Sequence, residues 1–157
     1  MANTIEGRLV APEGRFAIVA SRFNDFIVKR LVEGCEDALR RHGVNTGSDL
    51  DVIWVPGAFE IPLACAVAAK SGKYTSVIAL GAVIKGATAH FDYVCSAVTS
   101  GVMSANLESG VPVVFGVITT DTIEQAIERA GTKAGNKGFD AGMAALEMSS
   151  VIGTLEG

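Results

Sequence analysis

The sequence predicts an α/β fold in which a four-stranded parallel sheet is covered by helices on both faces. Short apolar runs rich in β-branched residues recur along the chain and end in turn signals, with longer stretches of helical spacing between them. The runs are almost continuously apolar rather than alternating, as expected of strands buried on both sides. Strands separated by helical crossovers pair in parallel, with right-handed connections.

The first strand is expected over residues 15–20. The segment after it places Phe26, Leu31, Ala38 and Leu39 among charges as an amphipathic helix, closed by His42-Gly43 as a C-terminal cap. Residues 50–55 form the second strand, followed by a helix over about 58–70 that ends at Ser71-Gly72-Lys73. The third strand covers 76–83. A third helix, about 91–108, stops at Ser109-Gly110-Val111-Pro112, and the fourth strand covers 113–118. Thr119-Thr120-Asp121, with Glu124 three residues beyond Asp121, has the form of a capped start for a helix reaching Ala130. A glycine-punctuated stretch over 131–138 then leads into a final helix ending at about Val151. Residues 1–13 are a weakly patterned arm, either irregular or an extra edge strand. The architecture expected is a flavodoxin-like three-layer α/β/α sandwich forming a single domain over residues 1–157.

A chain of 157 residues, 49% apolar, can bury a substantial core and is too apolar to be disordered. With 17 acidic against 13 basic residues its formal charge is -4, which disfavours nucleic acid or an anionic membrane as the main partner. The longest uncharged stretch, residues 93–107, is too short and too polar to span a bilayer. The N-terminal segment has Glu6 before Arg8 and no apolar core of a secretory signal, so a cytoplasmic location is expected. Cys35, Cys65 and Cys95 are isolated within apolar patterns and are expected to be buried thiols, with neither a disulfide framework nor a metal site. A mean hydropathy of +0.38 without any membrane-like segment leaves more small apolar side chain than one domain hides, which predicts a homo-oligomer.

Ligands of such sheets bind at the carboxyl ends of the strands. There the sequence places Ser21-Arg22-Phe23-Asn24-Asp25, Pro56-Gly57-Ala58-Phe59-Glu60, Ile84-Lys85-Gly86-Ala87-Thr88-Ala89-His90 and Thr119-Thr120-Asp121. Phe23 and Phe59 are placed either to stack on a flat heterocycle or to pack. Glu60 is either a helix-terminus charge or a contact for a polyol or amine. Residues 81–88 have the outline of a nucleotide-triphosphate loop, but Ala87 stands where that loop needs lysine. What remains is a Gly86-Ala87-Thr88 turn before a helix, able to hold one phosphate. His90 beside it is either structural or a proton carrier. After Lys85 the only Lys and Arg residues are Arg129, Lys133 and Lys137, gathered around the glycine-rich connection as an anion site or a solvated loop.

Together, Arg22-Phe23-Asn24, residues 55–62 (VPGAFEIP), residues 86–91 with His90, and residues 128–138 (ERAGTKAGNKG) resemble the lumazine synthase family of riboflavin biosynthesis over nearly the whole chain. The resemblance implies a transferase that condenses 5-amino-6-(D-ribitylamino)uracil with 3,4-dihydroxy-2-butanone 4-phosphate. The products are 6,7-dimethyl-8-ribityllumazine, phosphate and water, and neither metal nor organic cofactor is needed. It also implies the roles. Phe23 stacks on the pyrimidine with Asn24 nearby, and Ala58, Phe59 and Glu60 hold the ring edge and ribityl chain. Val83 and Ile84 meet the heterocycle through main-chain groups. Gly86, Ala87, Thr88 and Arg129 bind the butanone phosphate, and His90 transfers protons. Phe115, Arg129 and Lys137 come from a neighbouring subunit, Phe115 and Lys137 serving the pyrimidine substrate.

Family members assemble as homopentamers or as sixty-subunit icosahedral capsids, and the uninterrupted connection over 131–138 resembles that of the capsid formers. Riboflavin synthase is a partner that a shell could enclose. Lys85 stands where the family more usually carries Arg, which leaves the role of that side chain open. The competing readings are a non-catalytic flavin-binding module and a shell-forming protein on the same fold, since fold alone does not fix function.

Overall fold

A computed structural model describes residues 1–157, in the order β1 (Arg15–Ser21), α1 (Asp25–Arg41), β2 (Leu50–Val55), a 3-10 turn (Ala58–Glu60), α2 (Ile61–Lys70), β3 (Tyr74–Ile84), α3 (His90–Ser109), β4 (Val113–Thr120), α4 (Ile123–Glu128), β5 (Ala130–Thr132), β6 (Gly135–Asn136) and α5 (Lys137–Glu156). Strands β1 to β4 pair in parallel in the order β2-β1-β3-β4. The sheet has helices on both faces, so the expected flavodoxin-like sandwich is the fold.

Alternation along the central strands divides the core in two. Phe16, Ile18, Ala20, Ile78 and Leu80 face α1 and α5, where they meet Leu31, Leu39 and Leu146. Ala17, Val19, Val77 and Ala79 face α2 and α3, where they meet Ile61, Cys65, Val98 and Val102. Burial on both faces is why these strands lack a polar side. Helices α1 and α5 approach closely because Gly138 carries no side chain: a Cβ there would overlap the Leu31 carbonyl.

Several boundaries differ from expectation. Residues 58–60 form a 3-10 turn rather than α-helix, because Pro62 has no N–H and suits only the first turn of the helix behind it. The fourth strand runs on to Thr120. The cap of α4 is therefore Thr122, whose Oγ1 accepts the Gln125 N–H at 3.1 Å, while Gln125 Oε1 accepts the Asp121 N–H at 2.8 Å. That box lies one residue beyond the expected Asp121–Glu124 pair, and α4 stops at Glu128 rather than Ala130. The connection over 131–138 contains the antiparallel hairpin β5–β6, with Gly131 and Gly135 at positive φ. The last helix continues past Val151 to Glu156.

The arm forms no strand within this chain; it lies against α5 through the Arg8 N–H to Ser150 Oγ at 3.0 Å and meets the end of α1 through the Ala11 N–H to the His42 carbonyl. His42 and Gly43, at φ +100°, close α1 as expected, with His42 Nδ1 at 2.7 Å from the Ala38 carbonyl. Cys35 and Cys65 are buried. Burial pushes both thiols up, Cys65 to about 12, which keeps them protonated. Cys95 is only half-buried, because it lies near the exposed N-terminal part of α3. No helix is long and apolar enough to cross a membrane.

Candidate active site

At the carboxyl ends of β1, β2 and β3 lies a cleft of about 540 Å³ lined by Phe23, Asn24, residues 56–60, Ala82, Val83, Ile84, Gly86, Thr88, His90, Phe91 and Val94. The chain after β1 enters it in extended pairing with β2, the Arg22 and Phe23 N–H groups donating to the Val55 and Pro56 carbonyls at 2.7 and 3.0 Å. Asn24 then turns sharply, with φ 63° and ψ 38°, and starts α1 through its own carbonyl. It is the only non-glycine residue at positive φ. Its Nδ2 donates to the Ala82 carbonyl at 2.9 Å on the cleft floor.

The turn leaves the Phe23 ring 72% exposed, and the 3-10 turn after β2 leaves Phe59 63% exposed. Two bare aromatic rings in one concave cleft make stacking surfaces for a flat ligand. Glu60, beside Phe59, is the only Asp, Glu, Lys or Arg in the lining.

The third rim is the segment between β3 and α3. The Lys85 N–H donates to the Thr120 carbonyl at 2.9 Å, and Thr88 Oγ1 lies 3.4 Å from the His90 N–H. His90 is the first residue of α3 and lines the cleft beside Gly86 and Thr88. Ala87 and Lys85 are exposed but outside the cleft lining.

Phe115, Arg129 and Lys137 are elsewhere. With Val114, residues 116–119, Asp140, Ala141 and Ala144 they line a second cleft of about 430 Å³ along the free edge of β4. The two clefts share no residue. Arg129 Nη1 donates to the Gln125 carbonyl at 2.9 Å, and its nearest carboxylate, Glu128, is 3.9 Å away. Lys137 Nζ lies 3.9 Å from Asp140. Arg129, Lys137 and Phe115 are therefore in the second cleft, and Phe23, Phe59 and His90 are in the first.

A profile of the 6,7-dimethyl-8-ribityllumazine synthase family matches residues 13–152. The chain belongs to the 6,7-dimethyl-8-ribityllumazine synthase family. Membership makes it one of an enzyme family of riboflavin biosynthesis that acts on small molecules as a homo-oligomer. The matched span takes in both clefts and leaves out most of the N-terminal arm.

Ala82 and Val94 line the first cleft without having been picked out from the sequence, and Phe91 was given no role beyond ending the block at 86–91. Val94 lies one helical turn beyond His90, a spacing that finds it once α3 is known to start at His90. Asp140, one turn beyond Lys137, was missed for the same reason. No three His, Cys, Asp or Glu side chains come together as a set able to hold a metal ion.

Proposed function

We propose that this lumazine synthase family member condenses 5-amino-6-(D-ribitylamino)uracil with 3,4-dihydroxy-2-butanone 4-phosphate, at a site where the first cleft of one copy faces the second cleft of the next. The observation that carries this reading is the division of labour between the clefts. A lone chain has a stacking pocket without a cation and a cationic pocket without a stacking surface for both ring faces.

The surface supports such an assembly. The chain exposes 8581 Å², against roughly 7,500 Å² expected for a folded monomer of this mass. Leu63 and Val67 on α2, Met103 and Leu107 on α3, and Phe115 on β4 are all exposed. Two further clefts open along β4 and α3, each again lined by Phe115. An unpaired apolar strand edge of this length calls for a cover. A closed ring of copies provides one: a homopentamer, with the icosahedral capsid as its further assembly and riboflavin synthase as a candidate guest.

In this reading Phe23 stacks on the pyrimidine, Asn24 supports that wall, and Ala58, Phe59 and Glu60 receive the ring edge and ribityl chain. Val83 and Ile84 offer main-chain groups to the heterocycle, while Phe115 and Lys137 of the next copy close over it. Gly86, Ala87, Thr88 and the next copy's Arg129 take the phosphate. The uracil 5-amine attacks the ketone and one water leaves as the imine forms. Phosphate is then eliminated, and the ribitylamino nitrogen closes the second ring with loss of another water. Each step moves protons and none requires a nucleophile from the protein. His90 is the group placed to carry them, and holding two reactants in register supplies much of the acceleration.

The test is lumazine absorbance after mixing protein with both substrates, beside a protein-free control, with phosphate followed in parallel. Faster lumazine formation with phosphate released in step supports the reading. A rate equal to the control from folded oligomer contradicts it and favours a flavin-binding or shell protein.

A further inference from the structure

Asn136 lies where β6 meets α5, and both ends of its side-chain amide are occupied by the protein. Its Oδ1 accepts the Phe139 N–H at 3.0 Å and so caps α5. Its Nδ2 donates to the Arg30 carbonyl of α1 at 2.9 Å, a contact spanning 106 positions of sequence. The amide fits against Gly34 of α1, where a Cβ would overlap it. Asn136 also pairs with Ala130 across the β5–β6 hairpin.

The two cations of the second cleft hang from this joint. Lys137 is the next residue, and its N–H donates to the Arg129 carbonyl at 2.9 Å. Arg129 is thereby tied to the start of α5 at one point, and its guanidinium is braced on the Gln125 carbonyl of α4 at another. A hairpin of three-residue and two-residue strands has little stability of its own, so its placement depends on what anchors it.

We propose that Asn136 is a positioning residue for the condensation: by clamping the hairpin between α1 and α5 it sets the separation of Arg129 from Lys137, and hence the span between the phosphate and pyrimidine ends of the bound pair. This rests on the reading of the second cleft as the cationic half of the site. The residue itself lines neither cleft, so it acts through Arg129 and Lys137 rather than on substrate.

Two variants test it. Asn136→Asp keeps the cap on α5 but sets an oxygen against the Arg30 carbonyl. Gly34→Ala displaces the amide from α1, outside both clefts, and adds no charge. In each, the KM for both substrates is expected to rise about fivefold, the scale of one lost hydrogen bond, with kcat changed much less. Oligomer size by light scattering and thermal midpoint are read alongside. Wild-type turnover with unchanged KM values in both variants overturns the proposal alone. A lowered thermal midpoint with unchanged KM values also overturns it, by making the clamp purely structural. A wild-type chain that forms no lumazine overturns the functional reading and this proposal with it.

Discussion

The side-chain amide of Asn24 donates to the Ala82 carbonyl at 2.9 Å, joining the loop after β1 to β3 beneath the first cleft. That bond holds a non-glycine residue in the left-handed region, where L side chains are disfavoured, and with it the exposed Phe23 ring. Asn24→Ala loses the bond and tolerates the backbone poorly, and is expected to lower unfolding free energy by about 1–3 kcal/mol. Asn24→Gly loses only the bond and should fall between that variant and wild type in urea denaturation. Equal losses in the two variants would show that the backbone carries no strain.

His90→Ala is expected to lower kcat at least ~10-fold, a floor below the usual span of general acid–base effects, with assembly intact. Steady-state lumazine absorbance and light scattering check this together. Unchanged turnover removes His90 from the mechanism.

Arg129→Ala should act chiefly on the KM for the butanone phosphate, since in the proposed site the guanidinium pairs with the phosphate and its carboxylate partner, Glu128, is 3.9 Å away. Varying that substrate at saturating pyrimidine gives the constant. If it is unaltered, the phosphate sits elsewhere.

At the opposite end of the sheet, Asp51 accepts from the Tyr74 hydroxyl at 2.6 Å and from Arg15 at 2.8 Å. The Tyr74 hydrogen bond first, then Arg15, holds the Asp51 carboxyl below the usual carboxylate range, and the same bond raises the Tyr74 phenol. A depressed carboxyl contributes stability above its unfolded range and loses it as pH falls through the folded value. The raised phenol contributes below its unfolded range and loses it as pH climbs through the folded one. Both effects are small, because Arg15 and Asp51 are each 43% exposed. Tyr74→Phe should flatten both the acid and the alkaline limbs of the urea midpoint plotted against pH, and limbs identical to wild type would show that the bond contributes nothing.

Four strands and the apolar faces of the long helices could be read from the sequence, because burial on both sides of a sheet leaves an unbroken apolar run. The hairpin at Ala130–Asn136 could not: strands so short show no alternation, and Gly131 and Gly135 read equally well as a loop. The cap at Thr122 was displaced by one residue because strand β4 continues through Thr120, a boundary set by pairing with Ile84 rather than by local composition. The last helix was expected to end at about Val151, yet α5 runs on through Gly153 to Glu156. Most residues lining the first cleft were legible as blocks following strands. That Phe115, Arg129 and Lys137 stand apart from Phe23 came only from the family resemblance and not from the residues themselves, since the order β2-β1-β3-β4 is a tertiary choice that puts Phe115 on an edge away from Phe23.

The most direct test of a site built from two copies is complementation. His90→Ala disables only the first cleft and Arg129→Ala only the second, so co-expressed chains mixed at random should regain about a quarter of the wild-type sites. Recovery of lumazine formation well above either variant alone, at subsaturating butanone phosphate, is the result this account predicts. Activity in the mixed oligomer no higher than the average of the two variants would place both clefts' residues in one chain's site and contradict it.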